Sequence, residues 1–317
     1  MEIRQYEPIR DSEALLTLWD AALGDSWPQT PDILTRGISG REHRREEDHL
    51  VATVDGNVVG CVGVHVIRNG ELDEPEGNLS MLLVAAQYHG WGIGSALHDA
   101  ALLHLRQAGA RGVTFGGGPS YLWQGVPSNL PRAVAFFKHR GWHFTHTSYD
   151  LTQYLRGYST PAHIHERSRS AGITTAVATE AEAPDLLRFE ASEFPEWSSH
   201  FARVAQMGDY DDLLVARTRE GKIVGSLIMY GAWSHPERLD VRWKTLLGND
   251  VGALGVVGVA AATRGRGIGS ELVARGSEIL QARGVGTCFI GWVVLTEFYA
   301  KLGYTAWRSY EMARRRL

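Results

Sequence analysis

Along this chain the spacing of apolar residues changes period in an order that occurs twice. The openings "MEIRQYEPI" and "GITTAVAT" read as short strands, and each leads into a segment with apolar residues three and four apart, "SEALLTLWDAAL" and "EAPDLLRFEASEF", the period of an amphipathic helix. Next come β-branched runs folded about a turn, "VATVDGNVVGCVGVHVI" around "DGN" and "VARTREGKIVGSLIMYG" around "EGK", which predict a β-hairpin in each half. An apolar strand, "SMLLVAA" or "ALGVVGVAA", ends in a glycine-rich turn that opens a helix, "SALHDAALLHLRQAG" or "SELVARGSEILQARG". A strand ("GVTFGG", "GTCFIGW"), a short helix and a last strand complete each copy.

The two copies align residue by residue around the turn. One spacing carries Val84 onto Val259, Gly92 onto Gly267, Gly94 onto Gly269, Ser95 onto Ser270 and Leu97 onto Leu272. A duplicated supersecondary unit explains this better than chance, and it sets the expected architecture. That architecture is a mixed α/β class with two tandem domains, each a central mixed, mostly antiparallel sheet flanked by helices. The expected domains are residues 1–155 and 172–317. Residues 156–171, where Ser, Pro, Gly and charge collect, are the expected linker.

Glycines two apart at the start of a helix remove the Cβ atoms that would keep an anion from its free backbone N–H groups. Three phosphate-binding patterns compete. A P-loop needs a lysine after the last glycine, and here Ser95 and Ser270 follow directly. A dinucleotide fold needs an acid closing the next strand, and neither "GVTFGGG" nor "GTCFIGW" has one. The third pattern is the diphosphate turn of an acyl-CoA site. Arg264, Gly267 and Gly269 follow a [Q/R]xxGx[G/A] pattern, and "FYAKLGY" closes the second half. His89, Gly92 and Gly94, with "FFKHRGW", repeat it with His at the first position. In this arrangement the chain resembles the GNAT acyltransferase superfamily over nearly its whole length, as two copies.

The resemblance implies acetyl-CoA as cosubstrate and a primary amine as acceptor, joined in a ternary complex without a covalent enzyme intermediate. The implied coenzyme residues are Val257, Val259, Arg264, Gly265, Arg266, Gly267, Ile268, Gly269 and Ser270 in the second half. Their first-half counterparts are Val84, His89, Gly90, Gly92, Ile93, Gly94 and Ser95. Tyr299 takes the position of the family's donor to the departing thiolate, whereas the matching first-half residue is Phe137. The second half is therefore the expected catalytic half. Asp250 and Glu196 are candidate bases, and Glu193 is a candidate ligand for a cationic amine. Trp197, Trp292, Tyr121 and Trp123, with Trp27, are candidate walls of an acceptor pocket, since aromatic faces suit sugars and cations. An amino sugar such as glucosamine is the leading acceptor. An aminoglycoside, a thiol precursor or a protein N-terminus stays open, as does a non-catalytic acyl-CoA sensor.

Composition narrows the rest. With 317 residues, 44% hydrophobic and 21% charged, the chain has enough material for two cores, and no segment approaches the roughly 18 apolar residues of a membrane helix. A net charge of -4 gives no global attraction to nucleic acid or anionic membrane, and the cluster "REHRREED" reads as a solvated face. The opening residues lack a secretory pattern, so a cytoplasmic location is expected. Cys61 and Cys288 lie in apolar runs and read as buried free thiols; His163 and His165 lie in the expected linker with no metal-ligand spacing, so no metal is expected. A monomer or homodimer is expected.

Overall fold

The computed structural model describes residues 1–31, 49–67, 75–117, 122–238 and 241–317; Tyr121 and the charged stretch 41–48 lie outside the described residues. Two compact units divide the chain, Met1–Ser148 with Arg308–Leu317, and Tyr149–Trp307. In chain order the first unit holds β1 (Glu2–Gln5), α1 (Pro8–Leu23), β2 (Leu50–Val54), β3 (Asn57–Ile67), β4 (Glu76–Val84), α2 (Ile93–Gln107), β5 (Gly112–Phe115), β6 (Val126–Pro127), α3 (Pro131–His139) and the start of β7 (His143–Tyr154). The second unit takes the rest of β7 and continues with α4 (Ala162–Ser170), β8 (Thr174–Val177), α5 (Ala183–Glu193), α6 (Ser198–Gln206), β9 (Leu213–Arg217) and β10 (Ile223–Tyr230). It is completed by α7 (Lys244–Leu247), β11 (Val251–Val259), α8 (Ile268–Ala282), β12 (Thr287–Val293), α9 (Thr296–Ala300) and the start of β13 (Thr305–Arg316).

Local chemistry explains the shared elements. Asp55 and Gly56 both have positive φ, 50° and 81°, as the tight turn between β2 and β3 requires. Pro8 opens α1 at a position that needs no N–H, and buried Asp11 in its first turn accepts from Arg4 at 2.6 and 2.7 Å and from the Glu7 amide at 2.9 Å. In β9, alternate side chains go to opposite faces. Leu214 and Ala216 join the core under α8 with Leu227, Leu254 and Leu272, while Leu213 and Val215 join the core under α5 and α6 with Leu186, Phe201 and Val204. Cys61 and Cys288 are both buried and free.

Within the first unit the strands run in the order β1-β2-β3-β4-β5-β13, with β6 also pairing β13, and within the second in the order β7-β12-β11-β10-β9-β8. Both are antiparallel apart from one parallel pair each, β4 with β5 and β11 with β12. The mixed, mostly antiparallel fold is thus as expected, but the compact units do not follow chain order. Ala313–Arg316, at the C-terminus of the chain, pair with β5 of the first unit, and Tyr149–Tyr154 pair with β12 of the second. Apolar patterning identifies a strand after each short helix without identifying the edge it joins, so the expected boundaries 155 and 172 miss this exchange. The expected linker also differs: residues 162–170 form α4, which buries Ile164 and Ser168.

Trp123, expected in a pocket wall, belongs to the first unit's core. It stacks on Trp19 at 5.1 Å and 17°, meets Trp27 edge-on at 5.9 Å, and is 3% exposed. Trp27 is fully buried there and packs near Tyr310 of β13. Among the described residues, no helix is long and apolar enough to cross a membrane, and no three His, Cys, Asp or Glu side chains are grouped to hold a metal.

Because Tyr310 and Ala313 are core residues of the first unit, deleting Arg308–Leu317 removes a sheet partner and part of its aromatic core. The truncated chain is expected to lose cooperative unfolding of the first unit while the second keeps its own. Limited proteolysis should then cut first within residues 1–148; equal protection of both units would contradict this assignment.

Candidate active site

The two glycine turns are built alike. In the second unit, Gly265 and Gly267 have φ of 79° and 86°, and Gly267 caps α8 in the left-handed conformation. The first helical bond runs from the Glu271 amide to Gly267 O at 3.0 Å, which leaves the amides of Ile268, Gly269 and Ser270 ahead of it at the positive end of the helix. In the first unit Gly90 and Gly92 have φ of 84° and 83°, and the Ala96 amide bonds to Gly92 O at 2.9 Å, leaving Ile93, Gly94 and Ser95 in the same position. A Cβ added at Gly90, Gly92 or Gly265 would meet nothing within 4 Å. At Gly267 an added Cβ would lie 2.9 Å from the Arg167 side chain, so the first turn is open at both glycines and the second has an arginine over it; each presents amides that suit a diphosphate.

The residue opening each turn ties it to the preceding strand. Arg264 donates from Nε to Val259 O at 3.1 Å, and His89 donates from Nε2 to Val84 O at 2.9 Å. His89 thus makes the same strand contact as Arg264, although it departs from the Arg or Gln of the pattern. The third glycine serves packing instead: a Cβ at Gly269 would lie 3.4 Å from the Phe298 ring and 3.6 Å from Val259, and one at Gly94 would lie 3.5 Å from Val84 and 3.8 Å from Phe136.

Beside the second turn the sheet opens. Strands β11 and β12 pair only at Val251–Ala253 with Thr287–Phe289, so Leu254–Val259 run on without that neighbour. On the other side, the β10–β11 register slips between Ser226–Gly258 and Ile228–Gly255, and Val256 at the slip has φ 52°. A β-branched residue in the left-handed region costs about 1–3 kcal/mol, so the bulge is held by its surroundings and turns peptide groups out of the ladder. Val257 and Val259, partly buried against the α8 core, line this stretch.

Successive residues of β11 face opposite ways. Val259 and Phe298 both approach Gly269, and the Phe298 ring lies 4.8 Å from that of Tyr299. Tyr299 also lies 6.2 Å from the Tyr304 ring, its hydroxyl has no hydrogen-bond partner among the described residues, and burial pushes its pKa up to about 12. It therefore keeps its proton at neutral pH. Gly258 faces Phe194, where an added Cβ would lie 2.6 Å from the ring. One helical turn before Phe194, Glu190 is fully buried and accepts from the Ser226 hydroxyl, and Ser226 is the register partner of Gly258. Burial pushes Glu190 up to about 7 despite the Ser226 hydrogen bond, and its Oε2 has no partner among the described residues. The proton-holding phenol and the perturbed carboxyl thus lie toward the same end of β11.

The acetyltransferase (GNAT) family model matches the chain twice, over residues 12–142 and 164–304. The chain belongs to the GNAT acetyltransferase family. The glucosamine N-acetyltransferase region of a fungal multi-domain GH3 β-N-acetylglucosaminidase is 33% identical over 99% of this chain, with a TM-score of 0.91. The chain spans 38% of that protein's length. A GCN5-related N-acetyltransferase from Sphaerobacter thermophilus, at 17% identity and TM-score 0.70, and a tandem GNAT protein of the clavulanic acid biosynthesis pathway, at 18% and 0.67, share the fold over 99% of this chain and 95% and 98% of theirs. No curated protein matches the chain.

Not every residue singled out in this GNAT chain reaches the opening. Asp250 lies just before β11, four residues ahead of its unpaired stretch, and pairs with Arg156 at 2.9 Å. Glu193 accepts from the Ala261 amide at 3.1 Å and so braces the approach to the turn. Glu196 is exposed, Trp197 stacks on Phe194 at 5.1 Å and 16°, and Trp292 is 43% exposed with φ 63° at a bulge in β12. Sequence reasoning missed Glu190, Ser226 and a third residue, Arg167 of α4, which donates to Gly265 O at 2.6 Å.

Helix α4 is fixed to α8 by His165, whose ring lies 2.9 Å from Glu271 and 2.8 Å from Glu278, the latter also held by Thr160 and Arg275. Burial alone would lower the His165 pKa, but the hydrogen bonds to Glu278 and Glu271 outweigh it and raise it above 6.5. The stability this pairing adds is therefore full below pH 6.5 and is lost as pH rises through the higher folded value. In His165→Gln that decline should flatten in thermal unfolding measured from pH 5 to 9; an unchanged profile would show that the pairing does not hold α4.

Proposed function

We propose that this chain transfers the acetyl group of acetyl-CoA to a primary amine of a small polar molecule, with the chemistry in the second unit. The observation that carries this reading is the convergence, at one end of β11, of an open amide cradle, a strained bulge, a proton-holding tyrosine and a buried carboxyl of raised pKa. The cradle residues Arg264–Ser270 and the valines Val257 and Val259 fit the coenzyme, since the amides of Ile268–Ser270 are unspent at the positive end of α8 and Gly265 leaves open space, with the exposed Arg167 side chain over Gly267. Acetyl-CoA supplies an acyl group activated as a thioester. Glu190 takes a proton from the attacking amine, and the Tyr299 hydroxyl donates one to the departing sulfur, so the products are an amide and a free thiol. Peptide groups of the bulge at Val256 and Val257 orient the reacting carbonyl.

For the acceptor we favour an amino sugar. The relative with 33% identity bears a glucosamine N-acetyltransferase description, and Phe194 and Trp197 place aromatic faces on the Glu190 side of the sheet. The first unit keeps the cradle but has Phe137, 2% exposed, where the second has Tyr299, so it lacks the proton donor. We assign it a binding or scaffolding role.

Thiol release from acetyl-CoA, measured across an amine panel led by glucosamine, tests the reaction; no turnover with any amine would overturn it. Tyr299→Phe is expected to lower kcat about 100-fold with CoA affinity nearly unchanged. Glu190→Gln is expected to lower kcat/KM by a similar factor, roughly 100-fold, and to remove a loss of activity below about pH 7 expected of the wild type. Wild-type rates from either variant would remove that residue from the mechanism.

A further inference from the structure

We propose that Arg167, carried by α4 of the second unit, is a phosphate contact for coenzyme A at the second glycine turn. The inference rests on the coenzyme reading of that turn and extends it to a side chain of α4. A Cβ added at Gly267 would lie 2.9 Å from Arg167 Cδ and 3.1 Å from its Cγ, so the stem of this exposed side chain rests on the turn. Its Nη2 donates to Gly265 O at 2.6 Å, and it has no other partner among the described residues. A guanidinium carries five N–H donors in a planar fork, so four remain beside the cradle's amides. Such a fork matches two phosphate oxygens at once and, unlike a lone dipole, brings a full positive charge.

Nearby side chains support this role. Arg264 spends its Nε on Val259 O, while Arg266 has no partner among the described residues, so the turn gathers three cations with no carboxylate paired to Arg167 or Arg266. The acid closest in sequence on α8, Glu271, is held by His165. Through His165, α4 is fixed to the helix whose N-terminus forms the turn, so Arg167 is positioned by the element it serves. Among the described residues the first unit shows no such group: its turn carries His89 and Trp91, and no described atom lies within 4 Å of a Cβ built at Gly90 or Gly92. The two cradles thus have the same backbone and different charge, and the second is expected to bind coenzyme more tightly.

Calorimetric titration of the full chain with coenzyme A tests this. Arg167→Ala is expected to raise the Kd of the tighter site about tenfold or more and to weaken its dependence on salt. Arg167→Lys should recover part of the affinity, and Arg169→Ala, an exposed change on the same helix, should leave it unchanged. Pantetheine, which lacks the phosphates, should bind all four proteins equally. Unchanged or tighter coenzyme binding by Arg167→Ala would overturn the assignment, the tighter result marking Arg167 as an obstruction. Absence of coenzyme binding by the wild type would overturn the reading of the turn itself. Thermal unfolding of each variant separates lost contacts from lost structure.

Discussion

Two parallel strands that pair for three residues and then part make the site possible. Past Ala253 and Phe289, β11 keeps its bond to β10 but not to β12. A strand left without a neighbour exposes a row of peptide groups, which ordinarily invites unwanted pairing. Here the open edge lies beside the second glycine turn, and the bulge at Val256 turns peptide groups further out of the ladder. On the proposed function, the glycines, Tyr299 and Glu190 act at this opening. The strain at Val256 indicates that its geometry is imposed by the fold and not chosen by local preference.

The features legible in the sequence were those carried by local geometry. Glycine spacing, the Asp55–Gly56 turn and the apolar stripes of α2 and α8 all act within a few residues, and the structure has each of them. Even the departure at His89 proved local, since a ring nitrogen reaches the same strand carbonyl that Arg264 reaches in the other copy. The features not legible depend on which surfaces meet. Nothing in "SYEMARRRL" states that its strand pairs with β5, and nothing in "PAHIHERSRS" shows that a segment rich in polar residues becomes a helix whose Arg167 lies on a turn a hundred residues on. Glu190 did leave a trace. It follows Leu186 and precedes Phe194 at helical spacing, on the stripe that packs on the sheet, and an acid on such a stripe is a conflict between pattern and charge.

That conflict separates the copies. Burying a polar atom without a partner costs about 1–3 kcal/mol, and Glu190 Oε2 carries such a cost in the second unit. In the first unit, Asp11 is also a buried acid in the helix after the first strand, but it is answered by Arg4 on both oxygens. Its pKa is lowered: burial would raise it, and Arg4, the Glu7 amide and Arg10 together outweigh burial. One copy therefore uses its acid to fix a helix, while the other leaves an acid under-satisfied beneath β10. With Phe137 against Tyr299, the asymmetry appears on both faces of the sheet.

On the proposed mechanism, the carboxyl's own pKa constrains the acceptor. A base near 7 exchanges a proton efficiently with an amine of similar basicity, and a lysine-like amine near 10.4 lies more than three units away. Amines flanked by hydroxyl or carbonyl groups are weaker bases, as the α-amino group near 7.7–8.0 illustrates. A carboxyl whose hydration is replaced by Ser226 and apolar neighbours is matched to that weaker class, and its ionised form also attracts the ammonium before the proton moves. Binding and deprotonation of the acceptor then make the same demand on one side chain, which favours a small amine able to reach a buried carboxyl over a long chain ending at the surface.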